Sequence, residues 1–179
     1  MYRYLPAEAR RPVFVVARMM GQEFPRLFEP IRTQSRPHVS ILSRKTALTY
    51  LSRAEIENPF ERSTELLDKV YESLQPGASE DTEGVYESVD MIGTSLGLVL
   101  ESPRAFDEID VAYNGLGQEL SRKIGGDRRP HVTAGYFSTP LTPALRERVL
   151  DTAADICAVH LPYDRRVVLE PISFTGPGA

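Results

Sequence analysis

The chain has 179 residues, 41% hydrophobic and 26% charged, an ordinary globular balance with enough apolar material for one core. Its one cysteine, Cys157, excludes an intrachain disulfide framework and a cysteine-based zinc site and reads as core filler. A formal net charge of −4 argues against tracking of long duplex nucleic acid, which needs a broad basic face, and the basic residues instead form short groups: Arg36 with Arg44 and Lys45, Arg122 with Lys123, Arg128 with Arg129, Arg165 with Arg166.

In chain order, β-branched residues 13–20 read as a strand, and so do residues 37–42. Asn58-Pro59 signals a helix that carries Leu66, Leu67, Val70, Tyr71 and Leu74 on one face and ends at Gln75-Pro76-Gly77. The acidic residues 79–84 read as a polar loop, followed by strands over 85–92 and 95–100. Ser102-Pro103 opens a second helix with the stripe Phe106, Ile109, Tyr113, Leu116 and Leu120, which stops near Gly125-Gly126. A strand over 130–137 comes next, then a helix from Thr142-Pro143 that turns Leu145, Val149 and Ile156 inward, with His160 in a loop beyond it. Residues 166–174 complete the strands. Strands and helices that do not strictly alternate, with no linker between them, predict one α+β domain over residues 1–179. No opening apolar stretch of signal-peptide kind is present, and no run approaches the ~18 apolar residues of a membrane span. A cytoplasmic monomer with no membrane partner is therefore expected.

One internal repeat stands out. Arg36-Pro37-His38-Val39-Ser40 recurs as Arg129-Pro130-His131-Val132-Thr133, a match expected by chance on the order of a few times in a hundred in such a chain. A single H-x-[ST] is an ordinary packed or surface histidine, but the duplication reverses that reading. Strand parity puts His38 with Ser40 and His131 with Thr133 on one face, while Val39 and Val132 face a core. The prolines favour extended backbone in their neighbours. If the two strands lie across a common cleft, two imidazoles and two hydroxyls converge on a space the size of a phosphate. Phosphodiester cleavage needs that set: a base for the attacking oxygen, an acid for the leaving oxygen, and hydroxyls to donate to the non-bridging oxygens. An imidazole pKa of ~6.5 lets one neutral and one protonated histidine coexist near neutrality. No metal-binding pattern is present, so neither a metal nor another cofactor is expected.

On these motifs the chain resembles the 2H phosphoesterase superfamily, whose signature is two H-x-[ST] motifs in the halves of a bilobal α+β domain. Its members include bacterial RNA 2′,3′-cyclic phosphodiesterases (the 2′-5′ RNA ligases), plant cyclic phosphodiesterases and phage enzymes that destroy cyclic oligonucleotide signals. The resemblance implies two antiparallel sheets lining a central cleft with helices outside, and His38, Ser40, His131 and Thr133 as the catalytic four. It further implies a small phosphodiester substrate, a cyclic nucleotide or an RNA 2′,3′-cyclic end. His131 would act as base and His38 as acid when the ring opens to a 2′-phosphate. Two departures stand beside it. The second motif continues Ala134-Gly135-Tyr136-Phe137 rather than with a bulky apolar residue, which implies a more open cleft floor, and residues 44–61 fit no subfamily.

Phe137 shares the parity of His131 and is a candidate for stacking on a base, with a core position as its alternative. Tyr136 and Arg129 are further candidate substrate contacts. By parity Arg36 and Arg129 are assigned to the valine face, as strand-edge or salt-bridge residues first and phosphate contacts second. The rivals to a cyclic-end phosphodiesterase are a hydrolase of cyclic oligonucleotide messengers and a non-catalytic nucleotide- or RNA-binding module of the same fold.

Overall fold

The computed structural model describes residues 1–53, 57–115 and 129–173. These form, in order, β1 (Tyr2–Tyr4), α1 (Ala7–Glu23), β2 (Phe28–Pro30), β3 (His38–Ser40), α2 (Arg44–Arg53), α3 (Pro59–Ala78), β4 (Thr82–Ile92), β5 (Ser95–Glu101), α4 (Pro103–Gly115), β6 (His131–Phe137), α5 (Pro143–His160), β7 (Arg166–Leu169) and β8 (Ile172–Ser173). The class is α+β, as expected. The two sheets anticipated are continuous: eight antiparallel strands run β7-β4-β5-β6-β3-β1-β8, with β2 also paired to β6. The join is the pairing of Val39 with Val132, so the two motif strands are hydrogen-bonded neighbours rather than opposite walls.

One face of the sheet is apolar. Val39, Leu96, Leu98 and Val132 are all fully buried there. Helices cover this face: α1 packs on β2, β6 and α5, α5 and α4 on β4, and α3 on α4 and α2. Residues 13–20, expected as a strand, lie inside α1, where Val13, Val16, Ala17 and Met20 are buried at helical spacing. Burying that stripe against the sheet outweighs the modest helix penalty of β-branched residues. Pro12 is accommodated within the same helix.

The three Asn/Ser/Thr-Pro starts do mark helices, but only Thr142 caps as expected, its Oγ1 accepting from the Leu145 N–H at 3.4 Å. Asn58 adopts a left-handed conformation without a side-chain cap, and Ser102 Oγ donates to the Glu83 carbonyl instead. In α4 the buried residues are Ala105, Glu108, Ile109 and Ala112, while Phe106 is 47% exposed, so the inward stripe is rotated from the expected one. Leu116, Leu120 and Gly125-Gly126 lie outside the described residues. The expected loop at 79–84 gives way to β4 from Thr82, Glu170-Pro171 splits the last strand into β7 and β8, and His160 ends α5 rather than sitting in a loop. Cys157 is buried, which pushes its thiol up to about 12 and leaves it a packing residue.

Arg3 explains how β1 is held. Fully buried, it directs Nε and Nη2 to the two oxygens of Glu108 at 2.6 and 2.5 Å. Its remaining donors reach the carbonyls of Glu80, Glu170 and Gly77. All five guanidinium N–H groups are therefore used, and β1 is tied to α3, α4 and the β7–β8 turn.

Candidate active site

The Val39–Val132 register, continued one residue each way, sets His38 opposite Thr133 and Ser40 opposite His131. Directly opposed residues of an antiparallel pair point to the same face, with Cβ atoms about 4.5–5.5 Å apart. The four motif side chains thus form a two-by-two cluster on the face away from the helices. Because equivalent valines of the two copies are paired in an antiparallel ladder, the local two-fold of the strand pair maps one copy onto the other.

Both imidazoles are oriented in the same way. His38 Nδ1 lies 2.9 Å from the Arg36 carbonyl, and His131 Nδ1 lies 2.9 Å from the Arg129 carbonyl. A carbonyl only accepts, so each Nδ1 carries the proton, and Nε2 is the atom left to take up or release one. Burial holds the His38 pKa below the ordinary 6.5, opposed by the Arg36 carbonyl and aided by the N-terminal ammonium and by His131.

Around this cluster the two halves differ. Tyr4 and Tyr2 on β1 pair with His38 and Ser40. Their rings meet the His38 ring edge-on at 5.7 and 4.7 Å between centroids. Burial first, then Tyr4's charge, raises the Tyr2 pKa, and burial leads the rise at Tyr4 as well, so both phenols stay protonated near neutrality. Beside the other histidine, β5 places Gly97 opposite Thr133 and Val99 opposite His131. A Cβ at Gly97 would fall 2.7 Å from Ile92 Cδ1 and 3.3 Å from His131 Cδ2, so the imidazole occupies space that only glycine leaves.

The motif arginines belong to this face, contrary to the parity assigned above. Residues two apart on a strand share a face, so Arg36 goes with His38 and Arg129 with His131. The Arg36 guanidinium lies 4.1 Å over the Tyr4 ring and 3.0 Å from Glu170. Arg129 pairs with Asp90 at 2.7 Å, and Asp90 stands opposite Gly97 on β4. Burial would raise the Asp90 carboxyl, but hydrogen bonds from Arg129, the Met91 N–H and Arg146 hold it below its usual range. Each motif thus carries an arginine that pairs with a carboxylate, Glu170 for Arg36 and Asp90 for Arg129.

Phe137 is only 4% exposed and packs on Phe24 and Phe28, which removes it as a stacking platform. The cause is an irregularity: Gly97 pairs with Thr133 but Leu96 with Gly135, so Ala134 is extra and parity reverses beyond it. Tyr136, 52% exposed, pairs with Ser95 and so comes to the motif face in its place. Nor is the floor beyond the second motif open. The space a Cβ would take at Gly135 is filled by the Phe28 ring and the Glu29 carbonyl. Residues 44–53 of the unaligned stretch form α2, packed on α3.

Sequence reasoning missed Tyr2, Tyr4, Asp90, Gly97 and Glu170. The alternation Tyr2-Arg3-Tyr4 was a readable signal for a short strand, whereas Asp90, Gly97 and Glu170 reach the site only through pairing. Among the described residues, no group of three His, Cys, Asp or Glu side chains could hold a metal ion, and no helix is long and apolar enough to cross a membrane.

No family model and no curated protein sequence matches the chain. Among solved structures it is similar to Kluyveromyces marxianus Usb1, at 11% identity and a TM-score of 0.47 over 94% of this chain and 88% of that one. It is similar also to that protein's structure with uridine monophosphate, at 11% identity and a TM-score of 0.45 over 94% and 89%.

Proposed function

We propose that the chain is a metal-independent phosphodiesterase that opens a cyclic phosphate, or cleaves a 2′-5′ type phosphodiester, on a nucleotide or RNA end. The observation that carries this reading is the Val39–Val132 pair, around which two imidazoles, each with Nδ1–H engaged by a carbonyl, share one patch with two hydroxyls. In ring opening, a water oxygen forms the new bond to phosphorus as the bond to the 3′ oxygen breaks. One Nε2 takes the water proton, and the other gives its proton to the 3′ oxygen, leaving a 2′-phosphate. Ser40 and Thr133 donate to the non-bridging oxygens. Both imidazoles hold Nδ1 against a carbonyl in the same way, so either Nε2 is placed to act as base or acid, and the family resemblance gives the base to His131 and the acid to His38.

The test is a panel of 2′,3′-cyclic mononucleotides, 2′,3′-cyclic-ended RNA, 2′-5′ linked RNA and cyclic oligonucleotides, with products identified by mass in the presence of EDTA. His38→Ala and His131→Ala should each lower turnover by about 10²–10⁴-fold. Near-normal turnover by either variant on every active substrate would sink the two-histidine mechanism. Tight binding without product by the intact chain would favour the non-catalytic rival.

A further inference from the structure

Beside the first motif lies a groove of about 1030 Å³ between α1 and the segment that leads from β2 to β3. Four arginines line it: Arg10, Arg11 and Arg18 from α1, and Arg32 from the connecting segment, with Phe14 and Gln34 between them. No acidic residue is among its lining, in a chain whose net charge is −4. Arg11, Arg18 and Arg32 are exposed and have no ion-pair partner among the described residues. Exposed guanidinium groups gathered along one wall make a positive surface suited to an anionic ligand.

One carboxylate, Glu170, links a groove arginine to the first motif. Arg10 lies 3.9 Å from one oxygen of Glu170, and Arg36 lies 3.0 Å from the other. Arg36 in turn covers Tyr4, whose ring meets His38. Glu170 is thus spent on the two arginines at the mouth, and the positive charge runs on from α1 to within two residues of the histidine. Along the helix, Arg10 and Arg18 are about 12 Å apart, a span suited to a chain of phosphates rather than a single one.

We infer that this groove binds the sugar-phosphate backbone of a single-stranded oligonucleotide whose terminal phosphodiester sits at His38 and His131. The inference rests on the proposed phosphodiesterase reading and deepens it: the preferred substrate is the end of a short strand, not a free cyclic mononucleotide. Guanidinium groups pair with phosphates, and Phe14 offers a ring to a base, the combination by which proteins hold single strands without reading their sequence. A groove served by one helix and one short segment engages a few nucleotides, consistent with the absence of a broad basic face for duplex.

The test is fluorescence anisotropy of a 5′-fluorescein RNA of about ten nucleotides with a 2′,3′-cyclic end, titrated with the His131→Ala protein so that no turnover intervenes. In that background, Arg11→Glu/Arg18→Glu/Arg32→Glu should weaken binding at least about tenfold and flatten the plot of log affinity against log salt by about 2, some 0.7 for each lost phosphate contact. With His131 restored, the same changes should lower the ratio of kcat/KM for RNA over cyclic mononucleotide by a similar factor. A charge-matched control, Arg62→Glu/Lys69→Glu/Arg166→Glu, should leave both readouts near the parent values. Equal loss in the control, or unchanged binding in the groove variant, overturns the inference. So does displacement of the RNA by poly-glutamate as readily as by unlabelled RNA of equal charge, which would mark a general polyanion surface. If no substrate is turned over yet the groove variant loses RNA binding, the catalytic reading falls and the groove stands. If turnover is intact and binding unchanged, the reverse holds.

Discussion

His38 stands on a three-residue strand whose outer neighbour, β1, is equally short, whereas His131 stands on a seven-residue strand flanked by the long β5. The same five-residue pattern therefore sits in two mechanical settings. On the His131 side, backbone pairing runs from β6 through β5 to β4 and positions the imidazole against Gly97. On the His38 side so few ladder bonds are available that side chains carry the load: Arg3 clamps β1 to Glu108 and three carbonyls, and two tyrosine rings flank the imidazole. A repeated motif does not imply repeated support.

The largest expected effect breaks that asymmetry at the clamp. Arg3→Met leaves the buried Glu108 carboxylate with only Arg104, 3.4 Å away, and removes the donor of three carbonyls, so it should destabilise the protein by about 3 kcal/mol in urea unfolding. Replacing both partners, Arg3→Met with Glu108→Leu, should recover part of the loss, since it removes the buried carboxylate but leaves the Glu80 and Glu170 carbonyls without the Arg3 donor. Hydrogen exchange in Arg3→Met should speed up at the β1 and β3 amides while those of β5 and β6 keep their protection. Uniform loss across all four strands would show that the two halves are not separately supported.

How much of this was legible beforehand follows the same division. The motif residues and their shared face could be read from a period of two, because strand alternation is local. What is not local was missed. The reversal of parity at Ala134, which sends Phe137 to the core and Tyr136 to the surface, arises from pairing with Leu96 and Gly97. The helix over 13–20 was hidden by its valines, whose strand preference yields once the stripe from Val13 to Met20 has a sheet to cover. Arg3 reads as one cation among many until Glu108 arrives from a distant helix. Val39 and Val132 were expected to face a core, but not as direct partners, and that pairing replaces two strands across a cleft with two neighbours in one sheet.

A smaller effect should separate the two hydroxyls. Ser40 is exposed, while Thr133 is half-buried opposite Gly97. A donor screened by less water stabilises developing phosphoryl charge more, so Thr133→Ala should cost more in kcat than Ser40→Ala, up to about 10²-fold against a few-fold. Thr133→Ser should restore most of the loss if the hydroxyl is what matters. Equal losses at the two positions would mean that burial does not distinguish the halves chemically.

The smallest expected effect is a displacement of a titration midpoint, and it decides which half supplies the base. Burial depresses the His38 pKa below 6.5, so the unfolded chain binds this proton more readily than the folded one. His38 accordingly adds nothing to instability above 6.5, and stability is lost as pH falls from there through the folded value. His38→Gln should flatten that part of the stability profile. In catalysis, the acid limb of kcat/KM reports the group that must be neutral in the free enzyme. If that group is His38, the limb's midpoint lies below 6.5 and coincides with the midpoint of the His38 Cε1–H resonance followed by NMR. The two histidines interact, so the apparent values belong to the pair, and the resonance supplies the assignment that kinetics alone does not. Should the His38 resonance instead track the basic limb, with the acid limb following His131, the roles exchange, and the less firmly paired strand would supply the acid.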